Sequence, residues 1–307
     1  PQYEYVEYNK WYQHGLAIKT YAGFGNKYRL PVGLEHGTHL EDVYDGYELQ
    51  EEKDNLPGLF VFSENSKKIY SKHTTKEIIV IGPYIHYVKS LLNKNDFLKE
   101  KGRLGKSLLI IPNHSDVISQ IVYDNHSYLK KIKNIANDFD SVRVCLHWND
   151  VQNKFYDHYR EMGWECVSAG HETNNYFLSR LRSIIELSDF VLSDNITTAL
   201  GYSIYLKKPV MLIKSEAHAV ITSKRKGLDE TKINKLVNGP VNELFYDCFS
   251  VYSDNINNDQ LELVEQYWGL SHLKTKKEMR EIIMHFDEQL ENGRLNSKRG
   301  QDYVQNA

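Results

Sequence analysis

With 307 residues, 41% of them hydrophobic and 26% charged, the chain exceeds one comfortable hydrophobic core, so two α/β lobes around a cleft are expected. No apolar run approaches the length of a membrane span, and a formal charge of -3 gives no basic field for a polyanion, which argues against nucleic acid as a partner. Cys145, Cys166 and Cys248 are odd in number and widely spaced, fitting neither a disulfide framework nor a zinc site and pointing to a reducing cytoplasm.

The chain opens at Pro1 with no visible signal peptide, so a trimmed N-terminus is expected. In chain order, "RLPVGLEHG" (29–37), "LFVFS" (59–63) and "EIIVIGP" (77–83) predict strands and "NSKKIYSKH" (65–73) a short helix, making residues 1–90 a small or truncated first lobe. The first run breaks off into Glu35, His36, Gly37, Thr38 and His39. These look like an acid/base cluster rather than a metal site, because the 13 histidines are scattered and form no H-x-x-x-H or H-E-x-x-H pair. A Lys-rich linker, 91–106, leads to the second lobe, 107–274.

There, "SLLIIP" (107–112), "VRVCLHW" (142–148), "WECVSAG" (164–170), "FVLSD" (190–194) and "PVMLI" (209–213) predict buried strands. Helical patterns fall between and around them at 128–139, 151–163, 176–188 and 198–208. Such alternation predicts a doubly wound parallel sheet with right-handed crossovers. Further helices are expected at 229–239 and 259–269, then one over 275–292 that packs back across the lobes; the polar tail 293–307 is expected to be loosely ordered.

Ligands of such a sheet lie beyond the carboxyl ends of its strands. The polar residues there are Asn113, His114, Ser115 and Asp116, then His147, Gly170 and His171, then Ser193, Asp194 and Asn195, and finally Lys214. Thr197 and Thr198 open the following helix, whose first amides form a natural phosphate site, although Asp194 or Asn195 acting only as a helix cap explains the same residues. Trp148 reads as core rather than as a platform for a base. No G-x-x-x-x-G-K-[ST] or G-x-G-x-x-G occurs in a fitting context, which excludes a P-loop enzyme and a classical dehydrogenase. Four successive strand ends bearing ligand-type residues nonetheless predict a nucleotide site.

"HGT" (36–38), "IGPYIHYVKSLL" (81–92), "IIPNHSD" (110–116) and "SDNITTALGYSIYLKKPV" (193–210) together resemble bacterial cell-surface glycosyltransferases of the GT-B fold, those of capsule and lipopolysaccharide synthesis, and more distantly the CDP-glycerol glycerophosphotransferases. His39 stands where the latter carry Pro, which favours a sugar donor over CDP-glycerol. The resemblance implies two Rossmann-like lobes facing a cleft, with acceptor on the first and nucleotide sugar on the second, and no cofactor or metal. It implies His36 as general base, with Glu35 or Asp42 as orienting partner or alternative base. His114, Ser115, His147, Gly170, His171, Ser193, Asn195, Thr197, Thr198 and Lys214 become the nucleotide-sugar contacts. The acceptor is then a saccharide or lipid-linked chain, met in the cytoplasm at the inner face of the membrane, where peripheral association is expected. A nucleotide-sugar 2-epimerase and a non-catalytic nucleotide-sugar-binding component of a polysaccharide assembly complex remain as alternatives.

Overall fold

A computed structural model describes residues 4–42, 56–113, 119–122, 125–152, 157–214, 218–221 and 239–305. The first lobe carries a three-stranded parallel sheet of β1 (Gly33–Leu34), β2 (Gly58–Val61) and β3 (Glu77–Val80), paired in chain order. Helix α1 (His14–Tyr21) precedes it, after a 3-10 segment over Glu7–Gln13. Helix α2 (Glu64–Tyr70) joins β2 to β3; Ser63 caps it by accepting from Ser66 N at 3.2 Å.

Helix α3 (Lys94–Leu104), capped by Asn93, occupies most of the expected linker. It is docked on the second lobe: Lys101 Nζ donates to Leu187 O at 3.2 Å and pairs with Asp189, and Arg103 reaches Glu165 at 2.8 Å. The second sheet contains β4 (Ser107–Ile111), β6 (Ser141–Cys145), β7 (Glu165–Val167), β8 (Phe190–Ser193) and β9 (Val210–Leu212), all parallel, in the order β7-β6-β4-β8-β9. That order is the doubly wound arrangement expected from the alternation of runs. Its topological switch point lies between β4 and β8, where crossovers leave in opposite directions. Among the described residues a separate antiparallel pair joins β5 (Ser119–Val122) to β10 (His218–Ile221), which the apolar pattern did not announce.

Helices α4 (Asn125–Ala136), α7 (Phe177–Glu186) and α8 (Thr198–Tyr205) match the expected crossovers. Of the helix expected over 151–163, the described residues show α5 (Trp148–Gln152) and α6 (Asp157–Glu161). The helix expected over 229–239 falls, save Gly239, outside the described residues. Helix α9 (Pro240–Phe249) starts with Pro at its first position, where no amide hydrogen is needed, and α10 (Asn258–Trp268) has a complete capping box between Asn257 and Gln260. Helix α11 (Lys276–Gln305) covers the helix expected over 275–292 and extends into the tail 293–307.

Alternate residues of the buried strands serve different cores. Phe60 and Phe62 join Leu109, Val191, Leu200 and Trp268 in one apolar cluster that runs from the first lobe into the second. Leu59 and Val61 cover the outer face of the first sheet, and Leu108, Ile110, Val144 and Leu192 the far face of the second. The two lobes, each with a parallel sheet, therefore meet across a shared apolar interior.

Candidate functional site

A cavity of about 240 Å3 lies where the two lobes face one another. The second lobe contributes residues at or after the ends of four strands: Ile111 ending β4 and Pro112 after it, Leu146 and His147 after β6, Ala169 after β7, and Thr197 and Thr198 after β8. The site thus spans the switch point between β4 and β8, as the strand-end rule requires. The first lobe contributes His36 and Gly37 after β1, together with Tyr12 and His14.

Successive residues of an extended chain point to opposite sides, and this separates Glu35 from His36. His36 lines the cavity, its ring edge-on to Trp11 at 4.9 Å and tilted against Tyr12 at 5.0 Å. Glu35 points into the first lobe and is 0% exposed. Its Oε2 accepts from Phe62 N at 2.7 Å and its Oε1 from His39 Nδ1 at 2.9 Å, so it fastens the turn to β2 and is not on the cavity wall. Asp42 is exposed and paired with Lys72, also away from the cavity. A base role for either carboxylate is thus corrected: one is committed to the interior, the other to the surface. Gly37 does not adopt a left-handed backbone. A Cβ there would lie 3.4 Å from Thr198 Oγ1, an ordinary van der Waals contact, so the position faces Thr198 across the lobes without requiring glycine.

At the start of α8, Thr197 occupies the cap position without a side-chain cap bond. The neighbouring polar residues are used elsewhere. Asp194 Oδ1 accepts from Asn113 N at 2.5 Å, and Asn195 Nδ2 donates to Asn113 Oδ1 at 2.9 Å. Ser193 Oγ bonds Ile111 O and Asn195 O at 2.8 Å each. Capping by Asp194 or Asn195 is therefore not what these residues do; they lace the ends of β4 and β8 together. Ser193 and Asn195 are scaffolding under the cavity; no side chain caps the start of α8, where Leu200 N donates to Thr197 O at 3.0 Å.

Of the other expected contacts among the described residues, only His147 lines the cavity. Gly170 sits at φ 96°, and a Cβ there would stand 2.6 Å from Arg180 Nη1, so the position needs glycine for its turn and its packing rather than for a ligand. His171 is exposed, holds Thr173 Oγ1 at 2.9 Å and lies 4.4 Å from the Trp148 ring. Lys214 is on the surface, paired with Glu243 at 2.9 Å. Gly170, His171 and Lys214 are not on the wall of this cavity. His114 and Ser115 lie outside the described residues. Among the described residues no group of three or more His, Cys, Asp or Glu is arranged to hold a metal, and no helix is long and apolar enough to cross a membrane.

The remainder of the wall escaped sequence reasoning. Tyr12 and Gln13 take left-handed conformations at φ 52° and 68°, unusual for residues with a Cβ. The surrounding bonds hold them there: Tyr12 N donates to Glu172 O at 2.6 Å, and the Gln13 amide exchanges bonds with Ser179 Oγ (3.1 Å) and Ser179 N (2.9 Å). This clasp joins the first lobe to α7 and delivers His14 to the cavity, where its ring lies 6.3 Å from that of His36. Burial, with His36 nearby, holds the His14 imidazole well below its ordinary pKa. Tyr202 completes the floor, with burial pushing its phenol well above the ordinary range. A sequence signal for Tyr202 existed, since it follows Thr198 by one helical turn and shares its face.

No family model and no curated protein matches the chain. Among solved structures it is similar to the UDP complex of MnaA from S. aureus, with 13% identity, a TM-score of 0.40 and coverage of 86% of this chain and 67% of that one. It is likewise similar to a UDP-GlcNAc 2-epimerase from Methanocaldococcus jannaschii bound to UDP-GlcNAc and UDP, at 13% identity, TM-score 0.43 and coverage of 85% and 68%. The wall teichoic acid polymerase TagF gives 14% identity, a TM-score of 0.43 and coverage of 87% and 69%.

Proposed function

We propose that the chain is a glycosyltransferase that moves a sugar from a nucleotide-sugar donor to a saccharide or lipid-linked acceptor of a bacterial cell surface. The observation that carries this reading is that His36 from the first lobe and Thr197 and Thr198 at the side-chain-uncapped start of α8 from the second line one cavity, with Gly37 against Thr198. In the reaction an acceptor hydroxyl attacks the anomeric carbon, the bond from that carbon to the diphosphate oxygen breaks, and His36 takes the acceptor proton. The α8 amides with Thr197 and Thr198 receive the charge left on the diphosphate.

The test is a transfer assay with purified protein, a panel of nucleotide sugars and saccharide or lipid-linked acceptors, read by mass spectrometry. Transfer that requires acceptor supports the reading, and chelator leaves it intact, because no divalent ion is assigned a part in it. Conversion of the nucleotide sugar with no acceptor present would instead identify an epimerase, and binding without either reaction a non-catalytic component.

A further inference from the structure

Two buried polar groups on the cavity floor have no hydrogen-bond partner among the described residues: His14 Nδ1 and the Tyr202 hydroxyl. Their residues are only 4% and 2% exposed, and a buried group left unsatisfied is costly, so such groups mark a place where a partner belongs. Both come from elements that other contacts fix. The clasp at Gln13 sets His14, and Trp268 Nε1 anchors α8 by donating to Thr198 O at 3.1 Å.

The rest of the wall limits what that partner is. Among the described residues lining the cavity there is no Lys, Arg, Asp or Glu, and Ile111, Leu146, Phe177, Leu178 and Leu181 make most of it apolar. At about 240 Å3 it is below the roughly 300 Å3 at which pockets for drug-sized ligands begin. It takes one ring, and a whole nucleotide sugar does not fit inside. An apolar slot with two neutral hydrogen-bonding groups at its floor matches an uncharged ring that shows carbon on its faces and hydroxyls on its edge.

We infer that His14 and Tyr202 form the floor of a subsite for a single neutral pyranose, whose edge hydroxyls they hold while the nucleotide remains outside at the α8 terminus. This rests on the donor reading above in one respect, that the ring belongs to the nucleotide sugar. Sites built to hydrogen-bond a hydroxyl discriminate strongly against ligands lacking it, so these two residues would set sugar preference.

Tyr202→Phe deletes only the unpartnered hydroxyl, and His14→Phe keeps an aromatic ring while removing both imidazole nitrogens; circular dichroism checks that each is folded, and Tyr202→Phe alone decides the matter if His14→Phe is not. Calorimetry with UDP, UDP-glucose, UDP-galactose and UDP-N-acetylglucosamine should show at least one conjugate binding more tightly than UDP. Each variant should lower that conjugate's affinity about 3- to 10-fold, the scale of one lost neutral hydrogen bond, and leave UDP affinity unchanged. Equal affinity of variants and wild type for every conjugate overturns the subsite, as does an equal loss for UDP itself. If no UDP compound binds the wild type, methyl glycosides of the same sugars are titrated alone by saturation-transfer NMR. A signal lost in Tyr202→Phe then supports the subsite while this donor assignment falls, and no signal from any glycoside overturns the subsite too.

Discussion

Replacing Gly201 by Ala sets a local preference against packing. Gly201 lies inside α8, where alanine is intrinsically favoured by about 1 kcal/mol. A Cβ at this position, however, would stand 2.3 Å from Trp268 Cδ2, and Trp268 is 0% exposed. The indole is rigid and enclosed, so it must shift as a unit. Overpacking costs about 1 to 3 kcal/mol, and losing the bond from Trp268 Nε1 to Thr198 O strands a buried donor at about another 1 to 3. Subtracting the gain in helix preference leaves a net loss of about 1 to 5 kcal/mol. Urea denaturation of Gly201→Ala should show a lower midpoint at unchanged slope. Trp268→Leu makes room for the methyl group, so the cost of Gly201→Ala should shrink in that background, a coupling that a double-mutant cycle isolates. A midpoint unmoved or raised in the single variant, or strict additivity in the cycle, would refute the assignment of Trp268 as the part that positions α8.

His36→Ala should lower turnover roughly 10²- to 10⁴-fold with nucleotide affinity nearly intact, checked by steady-state kinetics beside calorimetry; unchanged activity per folded molecule would make His36 a turn residue. Thr197→Ala with Thr198→Ala should weaken nucleoside diphosphate binding by about 1 to 3 kcal/mol, and unaltered affinity in the folded double variant would remove the phosphate from α8. Because the folded pKa of His14 is depressed, the unfolded chain binds the extra proton: stability is intact above pH ~6.5 and falls as pH drops below it, by up to about 1.4 kcal/mol per unit. His86 titrates in the same sense, so the measurement is the difference between wild type and His14→Phe in denaturation from pH 8 to 5, and parallel curves would contradict the burial argument.

The second sheet was legible because parallel strands buried on both faces leave continuous apolar runs, as in "SLLII" and "FVLS", and the switch point follows from their order. Helix α1 was not. It is buried over His14, Gly15, Ala17, Ile18 and Lys19, and Lys19 carries its charge inside by pairing with Glu4 at 2.6 Å, so no polar stripe marks an outer face. The strand-end rule named His147, the following helix start named Thr197 and Thr198, and the family resemblance named His36; all four line the cavity. The strand-end rule failed for Ser193, Asn195 and Gly170 because it cannot tell a polar side chain that ties two strands together from one that faces a ligand. Tyr12 and His14 follow no strand at all. Their place depends on the long-range bonds from Tyr12 to Glu172 and from Gln13 to Ser179, partners about 160 residues away that local pattern cannot reveal.

Helix α11 has a consequence for how the chain reaches this structure during synthesis. Met279, Ile283 and Phe286 are fully buried, and Phe286 lies against Phe60 at 5.9 Å, in the space that Gly58 leaves beside β2. The first sheet, made before the second, therefore lacks its cover until residues 276–290 have emerged, whereas the residues of the second sheet can pair among themselves sooner. The lobe translated first is thus the lobe completed last. Until residues 276–290 arrive, Phe60 and its neighbours are exposed apolar surface, which makes the nascent first lobe the segment most in need of protection from aggregation.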